Sequence, residues 1–249
     1  MKNIPRIYYP YSSTLQVDDE IILTTNISNY ITNVLRMTYN NPIQFFNGKN
    51  SICNAKIISY SKKFVRIKIL NIKKQNCESP LYLHLGQVIS RGEKMTFSIK
   101  KAVELGVNVI TPLFSERCGV QLTNLELIKK QQRWKNFVIA ACEQCGRNYL
   151  PKIRKIMTLS SWCKEWTNSF KIYFHPHKSN NTSQIKMLPF HLKKIRLLIG
   201  SEGGISEEEV NMINSKGFIN VSIGPRILRT ETATLAAIAV LQSHFGDLG

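Results

Sequence analysis

Two segments near the C-terminus constrain this chain more than any other part of it. The first reads Leu197-Leu198-Ile199-Gly200-Ser201-Glu202-Gly203-Gly204-Ile205-Ser206-Glu207-Glu208-Glu209-Val210. The second reads Val221-Ser222-Ile223-Gly224-Pro225-Arg226-Ile227-Leu228-Arg229-Thr230-Glu231-Thr232-Ala233. Each is an apolar strand that runs into a Gly-rich turn and then a helix. α/β proteins build a ligand crevice this way, at the carboxyl ends of their strands. The first turn lacks the Lys-Ser/Thr pair of a P-loop and the spacing of a dinucleotide fingerprint, which argues against a ligand held by its phosphates. Its glycines still let backbone approach a ligand closely, and the flanking apolar strands suit an adenine. A plain strand-to-helix turn is the competing reading.

Upstream, the period of the apolar pattern changes once. Residues 1 to 72 hold short runs with strand character: 21–23, 43–46, 51–58 and 64–70. Several of them alternate apolar with polar residues, and Asn47-Gly48 marks a turn, so a small β-barrel is expected, with one short helix from Asn29 to Met37. The polar stretch Lys73 to Pro80 reads as a linker, giving expected domains 1–72 and 73–249. Beyond it strands at 81–85, 107–110, 171–174, 195–199 and 220–223 alternate with helices at 94–105, 123–147, from Ser206, and at 230–245. That alternation predicts a parallel sheet covered on both faces. Ser206 with Glu209 three residues on forms a capping box. Thr230 is placed to cap the last helix, with Glu231 in its first turn. The last helix is apolar on nearly every face and must be buried all round, in the core or against a second subunit. Lys178 to Thr182 reads as a polar surface loop.

Lys+Arg number 34 against 16 Asp+Glu, a formal charge of +18. A field of that sign concentrates polyanions, nucleic acid above all; compositional drift toward Lys, Asn and Ile is the rival explanation. The chain has no long uncharged apolar run and no apolar N-terminal segment, so a cytoplasmic protein with no membrane partner is expected. The six cysteines are scattered, and Cys142-Glu143-Gln144-Cys145 has no second pair to complete a zinc site. His175-Pro176-His177 lacks a third ligand. No metal site is expected.

Arg229 is explained by neither capping nor core packing. A guanidinium at the start of a buried helix could hold a phosphate or steer a polar base edge.

Together these segments resemble the RsmE family of 16S rRNA (uracil-N3) methyltransferases, of the SPOUT class. The resemblance rests on the two Gly-rich segments and on three others: Lys101-Ala102-Val103-Glu104-Leu105-Gly106-Val107, Arg133-Trp134 with Glu143-Gln144-Cys145-Gly146-Arg147, and Asn33-Val34-Leu35-Arg36. It spans nearly the whole chain in order. Two departures stand out. The family usually has Pro where this chain has Ser201, which loosens the turn, and it tends to carry His near Asn29-Tyr30.

The resemblance implies an N-terminal PUA-like β-barrel and a C-terminal α/β domain with a trefoil knot, a rare exception to unthreaded topology. It implies a homodimer that methylates 16S rRNA, in the small ribosomal subunit, from S-adenosylmethionine. Leu198, Ile199, Gly200, Gly203, Ile223, Gly224 and Leu228 would cradle the cofactor. Arg229 would stabilise charge on the uracil, and Glu231 or Glu202 would orient Arg229 or accept a proton. Arg6, Arg36, Lys100, Lys101 and Arg147 would contact RNA. A knotted methyltransferase acting on tRNA, and a non-catalytic RNA-binding relative, remain as rival readings.

Overall fold

The computed structural model describes residues 4–11, 14–61, 64–120, 123–175 and 183–249. Pro176 and His177, and the loop expected at 178–182, lie outside the described residues. The chain divides into two units, residues 1–77 with 142–150, and residues 78–141 with 151–249.

The first unit contains β1 (Arg6–Tyr8), β2 (Glu20–Ile22), α1 (Thr25–Asn29), β3 (Pro42–Phe46), β4 (Ser51–Tyr60) and β5 (Val65–Lys74). The strands form one sheet in the order β1-β3-β4-β5-β2, antiparallel except where β1 pairs with β3. Val65, Ile67 and Ile69 are buried while Arg66 and Leu70 are exposed, the alternation of a half-covered strand. On β4 the alternation slips: Ile52 and Cys53 are both buried. Cys53, Ala55 and Ile57 keep the alternation that faces the core, and the register shifts of this ladder, at Asn54/Ala55 and Ile57/Ser59, lie beyond the Ile52–Cys53 pair. The core gathers Ile7, Leu23, Ile31, Ile43, Phe45, Ile57 and Val65.

Two expectations shift here. The division after residue 72 cuts through β5, whose ladder with β4 runs on to Lys74 opposite Ser51. The helix starts earlier, at Thr25, and continues as a π-helical turn over Tyr30–Val34 instead of running from Asn29 to Met37. Arg36, at φ 51°, turns the chain out of the helix.

The second unit contains β6 (Tyr82–Val88), α2 (Glu93–Glu104), β7 (Val109–Phe114), most of α3 (Asn124–Cys145), β8 (Lys152–Ile153), β9 (Met157–Thr158), α4 (Leu159–Lys164), β10 (Phe170–Phe174), β11 (Ser183–Gln184), β12 (Lys194–Ile199), α5 (Glu207–Ser215), β13 (Ile219–Ser222) and α6 (Thr230–Phe245). The sheet runs β11-β13-β10-β12-β6-β7-β8, with β9 also against β7, and every pairing is parallel. Its central strands are buried because both faces are covered: Ile195 to Ile199, Arg196 among them, are all buried. Gly86 seats the Trp162 ring, since a Cβ there would lie 2.5 Å from it. Leu159, Trp162, Ile213 and Phe218 fill one face, and α2 packs with α6.

The capping box at Ser206 and Glu209 forms as expected. The last helix departs from its reading at its cap. Thr230 is its first residue, not its cap; Arg229 holds the cap position without a side-chain cap bond. Within this chain α6 buries one face, with Thr234, Ala237, Ile238, Leu241 and Gln242, while Leu235, Ala236, Ala239 and Val240 remain half-buried. Among the described residues no helix is long and apolar enough to cross a membrane.

Candidate active site

The carboxyl ends of β10, β12 and β13 surround a cavity of about 560 Å³. Both Gly-rich turns line it, as does His175 just past β10 and Lys94 from α2. Parallel strands open their loops on one edge of the sheet, which is why segments 24 residues apart in sequence, at Ile199 and Ile223, face the same space.

The first turn is held by short bonds. The Gly204 amide donates to the Ser201 carbonyl at 3.0 Å. The Ser201 hydroxyl donates to the Arg117 carbonyl at 3.1 Å. Ser201 stands where the family resemblance expects Pro, and this bond replaces ring rigidity with a tether. The second turn is tied to the first through Thr230, whose hydroxyl donates to the Gly200 carbonyl at 2.6 Å. Gln87, on β6, reaches the same hydroxyl at 3.3 Å and accepts a bond from Thr234 at 2.7 Å. The chain thus leaves β13 at one side of the sheet and begins α6 against strands two and three places away.

Of the expected cofactor residues, Ile199, Gly200, Ile223, Gly224 and Leu228 line the cavity. Leu198 does not: it is fully buried in the core behind the sheet, because strand alternation points it away from Ile199. Gly203 does not line it either. It lies against the Arg117 carbonyl oxygen, which a Cβ would meet at 2.6 Å. Glycine there serves the fit of the turn.

Arg229 and Glu202 line the cavity, and Glu202 pairs with Lys94 at 3.0 Å. Glu231 does not line it; its Oε2 is buried without a partner among the described residues. Lys94 and His175 are lining residues that motif reading missed. His175 had a usable signal, since it follows a strand at the edge where ligands bind; Lys94 had none.

The expected RNA contacts fare unevenly. Arg36 is exposed. Lys100 lies over the Phe137 ring at 4.8 Å, and Lys101 pairs with Glu104 at 2.7 Å. Arg6 is committed within the first unit: it donates to Gln44 at 2.7 Å, to Asn148 at 2.9 Å and to the Arg147 carbonyl at 3.1 Å. Arg147 itself is only 5 % exposed. Arg147 is thus buried, and Arg6 is half-buried with its guanidinium bonded inside the first unit.

The residues fit S-adenosylmethionine. Ile199, Ile223 and Leu228 offer an apolar slot for a purine, and bare backbone at Gly200 and Gly224 can meet its polar edge. Among the described residues no group of three or more His, Cys, Asp or Glu could hold a metal ion.

This fold and cavity are those of an RNA methyltransferase. The RNA methyltransferase domain family matches residues 77–242, and the RNA methyltransferase PUA domain family matches residues 23–70. A relative from Buchnera aphidicola subsp. Schizaphis graminum, named ribosomal RNA small subunit methyltransferase E, is 48 % identical over 248 residues, 99 % of each chain. The protein of that name from Buchnera aphidicola subsp. Acyrthosiphon pisum is 43 % identical, covering 99 % of this chain and 96 % of the relative. The chain belongs to the ribosomal RNA small subunit methyltransferase E family. A Neisseria gonorrhoeae member, solved bound to S-adenosyl methionine, superposes with a TM-score of 0.92 at 36 % identity, covering 99 % of this chain and 100 % of that one. A Legionella pneumophila methyltransferase, solved with bound SAM, superposes with a TM-score of 0.93 at 39 % identity, covering 99 % and 100 %.

Proposed function

We propose that this chain transfers a methyl group from S-adenosylmethionine to N3 of a uridine in 16S ribosomal RNA. The observation that carries the reading is the cavity at the strand ends with Arg229 in its wall, in a chain that matches small-subunit methyltransferases over its whole length. The cofactor, when bound, supplies an electrophilic methyl group. The protein supplies alignment, desolvation and removal of the N3 proton. Ile199, Ile223 and Leu228 exclude water from the cofactor's base. Arg229 places a guanidinium beside the uracil and stabilises negative charge as the proton leaves. Glu202 is the carboxylate in the cavity lining and accepts the proton there; Glu231 lies outside the lining, its Oε2 buried without a partner among the described residues.

N3 of a paired uridine is enclosed in its base pair, so the target is unpaired or flipped out. The first unit grips flanking RNA by shape and phosphate contacts, with Arg36 as its contact; Lys100 and Lys101 serve on the second unit. The C-terminal segment forms the trefoil knot that the resemblance implies, a reading supported by the crossing from β13 back to Gly200 and Gln87. Two copies pair, with the half-buried apolar residues of α6 favouring that assembly, and act on the small ribosomal subunit in the cytoplasm. Light scattering that gives a monomer mass at micromolar concentration would remove the dimer from this account.

The test is to incubate the protein with labelled S-adenosylmethionine and small subunits lacking the modification, then digest the RNA and identify the labelled nucleoside. N3-methyluridine supports the reading. A different methylated nucleoside overturns the target atom, and label entering tRNA alone overturns the substrate. No label without cofactor binding leaves an RNA-binding relative.

A further inference from the structure

The second unit has another cavity, of about 350 Å³, at the opposite edge of its sheet. The candidate active site lies where β10, β12 and β13 end. This cleft lies where β6, β10 and β12 begin, lined by His84, Lys194 and Arg196 of the strands, and by Arg154, Glu165 and Trp166. The five steps along β12 from Lys194 to Ile199, at about 3.3 Å each, set the two sites roughly 17 Å apart.

The charges in the cleft do not cancel. Among the described residues, Glu165 is the only carboxylate in its lining. It takes a bidentate bond from Arg154 at 2.7 and 2.6 Å and a third bond from Arg196 at 2.8 Å. Against that one anion stand Arg154, Arg196 and Lys194. His84 adds no positive charge at neutral pH, because burial, with Arg196 and Arg154 nearby, pushes it down to about 3. Two positive charges are therefore left over. Arg196 is 2 % exposed and stacked on Trp162 at 4.0 Å, yet its buried Nε has no acceptor among the described residues.

Beside this cationic cleft Trp166 is 88 % exposed, while Trp134 and Trp162 are 4 % and 0 % exposed. An ion pair that only braced the fold would need neither the surplus charge nor an open indole. A cation or an apolar ligand is disfavoured by the charge. Surplus positive charge beside an aromatic platform suits a phosphate followed by a stacked base.

We propose that this cleft binds one nucleotide of a single-stranded RNA segment, with its phosphate on Lys194 and Arg154 and its base on the Trp166 ring. The proposal rests on the reading that the partner of this chain is RNA, and it places a second contact far from the reacting base. Arg196 and Glu165 hold Arg154 in position; Lys194 and Trp166, both exposed, are the free contacts.

The test uses a dye-labelled oligouridylate, with binding read by fluorescence anisotropy for the full chain and for Trp166→Ala, Trp166→Phe and Lys194→Ala. Cofactor affinity measured by calorimetry checks that each variant is folded. Trp166→Ala is expected to weaken binding about fivefold or more, and Trp166→Phe to restore most of it, as base stacking requires. Lys194→Ala should lower the salt slope of binding by about 0.7, the loss of one phosphate contact to a single strand. Trp166 emission should quench saturably on titration. Affinity and salt slope unchanged in the alanine variants overturn the proposal. So does inorganic phosphate displacing the oligomer while Trp166→Ala is silent, which would leave an anion site only.

Methyl transfer to small subunits is measured alongside. Active wild type with an unchanged RNA KM in the variants removes the cleft and leaves the function standing. Inactive wild type whose oligonucleotide binding depends on Trp166 and Lys194 removes the methyl-transfer reading and leaves the cleft.

Discussion

The Thr230 hydroxyl lies 2.6 Å from the carbonyl oxygen of Gly200, so a single hydrogen bond joins the two Gly-rich turns that line the cavity. Gln87 and Thr234 continue this buried polar chain toward β6. Thr230→Val keeps the shape and removes the bond. With a net hydrogen-bond worth of about 1 kcal/mol, S-adenosylmethionine affinity is expected to fall roughly five- to tenfold. Calorimetric titration checks this, and an unchanged Kd would show that the two turns hold their positions independently.

Arg229→Ala is expected to abolish methyl transfer while cofactor affinity and thermal midpoint stay near wild type, because the residue is exposed and makes no cap bond. Single-turnover kinetics with saturating cofactor read the chemical step. Transfer at a near-normal rate would take Arg229 out of the mechanism.

At Gly203 a Cβ would lie 2.6 Å from the Arg117 carbonyl oxygen and 3.1 Å from its Cβ. Neither is the far end of a flexible side chain, so Gly203→Ala must displace backbone. Overpacking of this kind costs about 1–3 kcal/mol, a fall in thermal midpoint of roughly 2–10 °C for a chain this size. Cofactor binding should weaken with it, since the same turn carries Gly200. A midpoint equal to wild type in a calorimetric scan would count against the steric role.

His84 predicts an acid sensitivity. Its Nε2 lies 2.8 Å from the Thr111 hydroxyl and 3.4 Å from the Trp162 ring nitrogen. Burial, then Arg196 and Arg154, push its pKa down to about 3, against an opposing pull from Glu165. The unfolded chain takes up this proton below about pH 6.5 and the folded chain does not. Stability is therefore whole above pH 6.5 and falls as pH drops toward 3, by up to about 1.4 kcal/mol per unit. Denaturant midpoints at pH 7 and pH 5 should differ less in His84→Gln than in wild type. Equal differences would assign the acid loss to other groups.

Arg6→Ala is expected to destabilise the first unit by about 2 kcal/mol, the scale of lost charge-assisted hydrogen bonds, through Gln44, Asn148 and the Arg147 carbonyl. Arg36→Ala should leave stability unchanged and weaken RNA binding. Urea melts paired with RNA titrations at low salt separate the two roles, and the reverse pattern would restore Arg6 as an RNA contact.

Much of the second unit was legible in the linear pattern. The strands expected at 195–199 and 220–223 become β12 and β13, and the capping box at Ser206 forms as written, because these features depend on neighbours within a few residues. The short elements were not legible. β8, β9 and β11 are two residues each and exist only because a partner strand lies alongside. The π-helical turn at Tyr30–Val34 looks like ordinary helix in sequence, since one inserted residue barely changes the apolar period.

At the site, residue type pointed to the right turns, and geometry sorted their members. Ile199 and Leu198 are adjacent and equally apolar, yet only Ile199 faces the cavity, because successive strand residues point to opposite faces. Lys94 carries no signal of its own; it reaches Glu202 only when α2 is docked. The cationic cleft was invisible in sequence, as Arg154, Glu165 and the β12 pair Lys194 and Arg196 come from three separate stretches of the chain.

Local periodicity and turn chemistry, together with the order of the two Gly-rich segments, determined the class of fold and the edge of the sheet where a ligand binds. Those signals act over a few residues and survive in any context. Tertiary structure alone decided which side chains enter the cavity, which arginines turn inward, and where surplus charge gathers. These depend on contacts between residues tens of positions apart, such as Arg6 with Asn148 and Thr230 with Gly200, whose pairing the chain acquires only when it is folded.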